Sequence, residues 1–376
     1  MKIGIEAQRI FRKNKHGMDY VVLQEIKELQ QMDLVNEYYV FVKPGEDRCV
    51  ESSKNVHVIE LKCPSYPLWE QWALPRAAKK YGIEILHCTS NTAPIWCDIP
   101  LVLTLHDIIF LEPRDKQNKS IYQNLGWLYR RLNVPRILGK CRRIITVSNF
   151  EMENIISKLN IPRERMAMIY NGYNDWFKPV EDKEDIYKKY IQDAGYFFFL
   201  GNTDPKKNTE RTLVAYSKYL AKSSIKRKLL MADLNPEYLK SIIERNHIEN
   251  IQKNIVMPGY IVNSDLPYLY HSAFAFLYTS LRESFGIPLL EAMACGTPAI
   301  TSNTSSMPEI GGKDAILINP EKSDDITEMM LRLENDKDFY EYQKTVGLER
   351  AKLFSWRKTA ENLLKLYQEV YQEISK

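Results

Sequence analysis

A chain of 376 residues, 44% hydrophobic and 27% charged, is longer than one hydrophobic core ordinarily supports, so two globular domains are expected. A net charge of +4 is too small to imply wholesale nucleic-acid binding, and six scattered cysteines with no C-x-x-C pair suggest neither a zinc site nor a disulfide framework. The opening MKIGIEAQRI lacks the apolar core and cleavage site of an export signal, and no later apolar run reaches the roughly 20 residues that cross a bilayer, so a cytoplasmic location is expected.

The first candidate strand is KIGIEA (2–7). It runs into EAQRIFRKNKHGMDYVVLQEIKEL (6–29), a loop and helix in which Gly17 is the one glycine and Lys13, Lys15 and His16 carry charge. YYVFV (38–42) and VHVIEL (56–61) follow as strands. YPLWEQWALPRAAKK (66–80) places Trp69 and Trp72 in a periodic segment, where core packing is favoured over membrane insertion. EILHC (84–88) and LVLTLHD (101–107) are strands, the second ending in His106 and Asp107.

From Lys116 to Phe150 the chain has no Asp or Glu, while Lys119, Arg130, Arg131, Arg136, Lys140, Arg142 and Arg143 interleave with Trp127, Tyr129 and Ile137. Such a segment is either a solvated helix face or a surface that rests on anionic lipid headgroups. RIITV (143–147) is a further strand, and Ser148 with Glu151 forms a capping-box pattern that needs no ligand to explain it. NGYNDWFKPVEDKED (171–185), with its Asn-Gly turn, proline and charge run, is the linker, its hinge near Phe177.

The second half repeats the pattern with YFFFLG (196–201), KLLMA (228–232), NIVMPG (254–259), AFAFLYT (273–279), PAITS (298–302) and AILIN (315–319). SWRKTAENLLKLYQEVYQEI (355–374) has no strand after it and must dock without completing another strand-helix-strand unit. Short apolar runs alternating with helical segments predict an α/β protein whose mostly parallel sheets are covered on both faces, once over 1–177 and again over 178–354. In such sheets ligands bind beyond the carboxyl ends of the strands, so functional residues belong in the loops just after them.

One such loop is SLRESFGIPLLEAMACGTPAI, after AFAFLYT. Pro288 suits the first turn of a helix and Gly296 the position past its end. The N-terminus of that helix, with free N–H groups at Leu289 and Leu290, is suited to phosphate, and Gly286 lets a ligand approach the backbone. Glu291, one turn in, leans back toward the same point and would engage ribose hydroxyls; Glu283 lies before the loop, on the side of an attached sugar. Taken alone, the two carboxylates are equally well read as a solvated helix residue and a loop cap.

The stretch ESFGIPLLEAMACGTPAI resembles, nearly residue for residue, the E-x7-E signature of retaining glycosyltransferases of family 4. The resemblance implies the GT-B fold: two Rossmann-like doubly wound domains facing a central cleft, the first for the acceptor, the second for a nucleotide-sugar donor, with residues 355–376 packing back on the first. FFFLGNTDPKKNTERTLVAY (197–216) looks like the family's G-x-x-x-P-[RK]-K-N segment, beginning at Gly201. It implies that Lys207 and then Lys206 neutralise the diphosphate, with Asn208 beside them; many relatives carry Arg where this chain has Asn202. His106 matches a T-x-H-D element and is assigned to positioning the donor sugar, with Asp107 orienting the imidazole or its loop. Glu283, Lys207 and His106 are therefore the catalytic candidates. Gly17, Gly201, Lys206, Asn208, Tyr260, Ile261, Phe285, Gly286, Ile287, Leu289, Leu290 and Glu291 are the donor-binding candidates. Glu309, in TSNTSSMPEIGG, borders the donor or stabilises a turn.

The resemblance further implies transfer of a hexose, from GDP-mannose or a UDP-hexose, to a carbohydrate hydroxyl with retention of anomeric configuration. No metal and no cofactor is expected. The acceptor is read as a lipid-linked oligosaccharide of surface-polysaccharide assembly, and the basic 116–150 segment as a peripheral contact with the inner face of the cytoplasmic membrane. The alternatives are a GT-B nucleotide-sugar 2-epimerase and a nucleotide-sugar binding protein without turnover. A dinucleotide oxidoreductase is disfavoured because no G-x-G-x-x-G follows any candidate strand.

Overall fold

The computed structural model of the chain describes residues 1–15, 17–112, 121–181, 184–232 and 234–376. Two compact units divide them, Met1–Asn171 with Trp356–Lys376, and Gly172–Ser355. Phe177, the expected hinge, lies inside the second unit, its ring 6.0 Å from that of Tyr270. The chain passes from one unit to the next before Phe177 because that side chain is buried against its neighbour.

The first unit is a seven-stranded sheet in the order β3-β2-β1-β4-β5-β6-β7, every pair parallel. Its strands are β1 (Lys2–Glu6), β2 (Glu37–Val42), β3 (Val56–Glu60), β4 (Ile85–Cys88), β5 (Leu101–Thr104), β6 (Cys141–Thr146) and β7 (Met166–Met168). Side chains alternate between two cores as the pleat requires. Tyr38, Val40 and Val42 enter one with Ile3 and Ile5, while Tyr39 and Phe41 enter the other with Leu86 and Leu103. The edge strand β7 escapes a sequence reading because Met-Ala-Met is short and has no β-branched residue.

The C-terminal helix Trp356–Ile374 lies on the first of these cores, contributing Ala360, Leu363, Leu366, Tyr367 and Val370 at helical spacing. Each large apolar side chain so buried stabilises by about 1.5–3 kcal/mol. Tyr367 also reaches inward, its hydroxyl 2.7 Å from His87 Nδ1, and the other ring nitrogen lies 2.7 Å from Thr104 Oγ1. Burial pushes the His87 pKa down to about 3, so this link between helix and sheet is neutral.

Trp69 is fully buried, but Trp72 is about half exposed with Arg76 over its ring. Core packing therefore holds for the first tryptophan only, because the stretch Trp69–Ala73 turns Trp72 outward. Ser148 caps the helix Asn149–Leu159, its Oγ accepting the Glu151 N–H at 3.2 Å. In the basic segment, Lys116 and Lys119 lie outside the described residues. The remainder forms the helix Ile121–Leu138 and β6, with Ile137 buried and Arg131 stacked on Trp127. Among the described residues no helix is long and apolar enough to cross a membrane.

The second unit is a six-stranded parallel sheet ordered β10-β9-β8-β11-β12-β13. Its strands are β8 (Tyr196–Phe199), β9 (Leu229–Met231), β10 (Ile255–Val256), β11 (Ala273–Tyr278), β12 (Ala299–Ser302) and β13 (Ile316–Ile318). The central strands β8 and β11 are buried on both faces, which is why YFFF and AFAFLY are nearly continuous apolar runs. Strand order reverses between β8 and β11, so the loops leaving these two strands open onto the crevice where such sheets hold ligands.

Candidate active site

The loop after β8 and the loop after β11 meet at this switch point. Leu281 N–H donates to the Lys206 carbonyl at 2.7 Å, which ties the two loops together at the backbone. Lys207 then extends to Glu283, Nζ 2.6 Å from Oε1, and its ammonium also lies 5.5 Å from the centre of the Tyr278 ring. Glu283 is held from a third loop: its N–H donates to Ser305 Oγ, and its carbonyl accepts from Ser306 Oγ at 2.9 Å. The pair thus joins three loops at the carboxyl ends of β8, β11 and β12.

The helix Ile287–Ala294 begins immediately beyond Glu283. No side chain caps it, but the expected free N–H groups at Leu289 and Leu290 are not there: the Leu289 N–H donates to the Gly286 carbonyl at 3.1 Å, Leu290 makes the first intrahelical bond, and Pro288 has no N–H, so what the helix offers is its positive end and the N–H groups of Gly286 and Ile287. Gly286 precedes it with φ +104°, and a Cβ there would lie 2.6 Å from Met307 Cε and 3.3 Å from Tyr278 Cε1. The backbone conformation requires glycine, and the terminal methyl of Met307 would have to shift to admit a Cβ. Leu289 and Leu290 are buried side chains with their N–H groups engaged, so they pack the helix, while the place of Ile287 in the site is through its backbone. Phe285 is buried against Phe354, and its carbonyl accepts from Ser306.

Glu291 sits one turn into the helix with Tyr270 O–H donating to its carboxylate at 3.4 Å. Burial pushes its pKa up to about 7, the Tyr270 hydrogen bond offsetting only part of the desolvation. A carboxylate so poised gains stability from any hydroxyl that donates to it.

Other candidates fall into different roles. Asn208 is buried with φ +58°, and its amide donates to the carbonyls of Thr279 and Pro320 at 3.0 and 2.7 Å while its Oδ1 accepts from Arg211. Those bonds make it a tie between strand ends. Gly201 is needed because the Phe199 ring folds over it, leaving 2.2 Å for a Cβ. Lys206 is partly exposed with Asp204 3.8 Å away, and the exposed Asn202 accepts the Asp204 N–H in a local turn. Tyr260 is exposed and Ile261 buried, in the loop after β10, just past Gly259 at φ +81°. The Glu309 carbonyl accepts from Arg350, which fixes the turn it stands on.

In the first unit His106 follows β5 and is buried. Its Nε2 lies 3.0 Å from the Thr89 carbonyl, which only accepts, so Nε2 carries the proton and Nδ1 keeps its lone pair. Burial lowers its pKa, so the ring is a neutral acceptor. Its backbone N–H donates to Asn91, while Asp107 accepts from Ile109 N–H and so orders the loop. Gly17 opens its helix with open space where a Cβ would go. Lys15 is paired with Asp47, Arg12 with Asp19, and His16 lies outside the described residues.

Sequence reasoning passed over several residues that build these sites. Tyr270, Tyr278, Ser305, Ser306 and Met307 all brace the crevice of the second unit, and only the polar run TSNTSS after β12 signalled that a loop would come there. In the first unit the buried Glu70 accepts from Tyr66, Thr92, Tyr129 and Gln71, and Thr89 O–H donates to the Glu6 carbonyl, beside the β1/β4 reversal of strand order. Among the described residues no three His, Cys, Asp or Glu side chains converge as a metal-ligand set.

Comparison with known proteins agrees with this architecture. Residues 182–350 match the family described as "Glycosyl transferases group 1", and residues 16–176 match "Glycosyltransferase Family 4". O-antigen chain mannosyltransferase B of Escherichia coli is 30% identical over 309 residues, 80% of this chain and 77% of that one. Sucrose-phosphate synthase from Thermosynechococcus elongatus superposes with a TM-score of 0.74 at 19% identity, covering 99% of both chains. Anabaena HepE, in complex with UDP and glucose, gives 0.73 at 15%, covering 98% of this chain and 99% of that one.

Proposed function

The chain belongs to glycosyltransferase family 4 and has the GT-B fold, and from that premise we propose that it moves a mannosyl group from GDP-mannose to a carbohydrate hydroxyl with retention at the anomeric carbon. The observation that carries this reading is the Lys207–Glu283 pair beside the uncapped start of the Ile287–Ala294 helix. A cation paired with Glu283 and the positive end of the helix that follows Glu283 by four residues offer positive charge for a departing diphosphate, which is the electrostatic work such a transfer needs. Lys207 exchanges Glu283 for phosphate oxygens, and the released carboxylate faces the sugar side. Glu291 accepts from the ribose hydroxyls.

In this reading the first unit binds the acceptor, and neutral His106 accepts a sugar hydroxyl at Nδ1. The departing phosphate takes the acceptor proton, so no protein base is required, and Lys207 with the positive helix end supplies the charge that a divalent ion would otherwise bring. Mannose is favoured because the relative at 30% identity is a mannosyltransferase, and that protein's O-antigen role supports an acceptor of surface-polysaccharide assembly, carried on a lipid at the inner face of the cytoplasmic membrane. The test is a thermal-shift panel with GDP, UDP, dTDP and ADP, followed by GDP-mannose turnover with and without an oligosaccharide acceptor. A nucleotide at about 100 times its Kd stabilises by roughly 2.7 kcal/mol. Selective stabilisation by GDP and acceptor-dependent release of GDP support the proposal; epimer formation without acceptor, or binding without turnover, overturns it.

A further inference from the structure

In the second unit the helix Lys337–Ala351 packs on the helix Ile287–Ala294 that opens the candidate crevice. The approach is close at Gly347, where a Cβ would lie 3.3 Å from Met293 Cγ. About one turn further on stands Arg350, half-buried. Its Nε donates to the Ile310 carbonyl at 2.9 Å, an Nη2 N–H donates to the Glu309 carbonyl, and its guanidinium lies 5.2 Å from the centre of the Phe354 ring.

The two carbonyls belong to the last turn of the short helix Met307–Gly311, where a helix has no N–H of its own to offer. A guanidinium suits the place, because its planar fork serves two adjacent acceptors and still gives a face to an aromatic ring. The consequence lies at the other end of that helix. Met307, its first residue, is the side chain that a Gly286 Cβ would strike, and Ser306 just before it donates to the carbonyls of Glu283 and Phe285. Phe285 also packs on Phe354, their ring centres 6.0 Å apart. Arg350 therefore reaches the Glu283–Gly286 loop by two routes, through the Met307–Gly311 helix and through Phe354. Its hydrogen bonds end on backbone carbonyls, so it acts through the loop and not on a substrate.

We propose that Arg350 is a positioning residue for the transfer: by holding the Met307–Gly311 helix and Phe354 it fixes the Glu283–Gly286 loop, and with it the carboxylate that meets Lys207 and the start of the Ile287–Ala294 helix. Displacing a reacting group by about 1 Å costs on the order of 10²-fold in rate, so a residue outside the crevice has this leverage. The inference rests on the proposed transfer for its purpose; the fixing of the loop is a property of the free protein and is tested apart from it.

The experiment joins hydrogen exchange of the full chain without ligand to GDP-mannose turnover, for the parent, R350A and R350K. In R350A the amides of 283–287 and 305–310 should exchange faster while those of β8 and β11 keep parental protection. In the active enzyme kcat should fall by roughly 10–10²-fold, with KM for the acceptor and Kd for GDP close to the parent's. R350K keeps the charge and the aliphatic stem but loses the fork, so it should show the same local loosening with a smaller loss of kcat, and it carries the test if R350A does not fold. Parental exchange at 283–287 in both variants overturns the inference, as does a parental kcat in both. Faster exchange spread evenly over the strands of the second unit also overturns it, because Arg350 would then serve stability alone. Local loosening in variants of a parent that transfers no sugar would sink the catalytic reading and leave the fixing of the loop standing; an active parent whose loop is indifferent to Arg350 would sink this inference alone.

Discussion

Lys207 Nζ and Glu283 Oε1 lie 2.6 Å apart although 76 positions separate them in the chain, because they leave adjacent strands at the point where the order of the sheet reverses. The lysine is thereby held in place by a carboxylate in the free protein. Lys207→Ala should lower kcat by roughly 10²–10³-fold, the loss expected when one donor to a developing anion is removed. Steady-state kinetics at saturating donor, with the melting temperature as a check on folding, measure this; unchanged turnover would remove Lys207 from the mechanism.

Glu291 supplies a pH dependence. Its pKa is pushed by burial to about 7 from the usual 4.5, and in the proposed role only the ionised form would accept from two ribose hydroxyls. Nucleotide affinity should therefore rise with pH through about 7, and Glu291→Gln should flatten the profile. Stability of the free protein runs the other way: the folded chain holds the proton more tightly than the unfolded one, so this group's contribution falls as pH rises from about 4.5 through about 7. Calorimetric nucleotide titrations at several pH values are the measurement, and a parent profile as flat as that of the variant would refute the ribose assignment.

Gly286→Ala combines two penalties, a Cβ 2.6 Å from Met307 Cε and a φ of +104°. A cost of about 1–3 kcal/mol is expected from the backbone term alone. Met307 is fully buried and its truncation has a cavity cost of its own, so the comparison is made within a Met307→Ala background, where Gly286→Ala should cost only the backbone share. Denaturant unfolding of the two single variants and the double variant separates the shares, and no cost of Gly286→Ala in the Met307→Ala background would show that backbone strain is absent.

Asn208→Ala tests a tie rather than a ligand contact. Its amide satisfies the Thr279 and Pro320 carbonyls, and leaving buried acceptors unpaired costs about 1–3 kcal/mol each. Unfolding free energy should drop while the Kd for nucleotide, measured well below the melting temperature, stays close to the parent's. A large loss of affinity at parental stability would restore Asn208 to the donor site.

Much of this was legible in one dimension. Continuous apolar runs such as YYVFV and AFAFLY mark strands because a strand in the middle of a parallel sheet is covered on both faces. Pro288, Gly286 and Gly296 bracket a helix because their backbone preferences are local. The β7 strand left no such mark, since three residues of low β-propensity pair only because an edge is there to receive them. Trp69 and Trp72 look alike in sequence, and which of them faces the core is decided by the turn of the backbone between them.

The sequence by itself determined the repeated strand and helix pattern, the loops in which charge gathers, and the family to which those loops belong, because all of these rest on short-range periodicity and backbone preference. Only the tertiary structure decided that Lys207 reaches Glu283, that Asn208 is consumed as a tie, and that Glu291 is buried enough to titrate near neutrality. Each of those depends on the separation and solvation of groups distant in the chain, and hydrogen bonding and desolvation act through space.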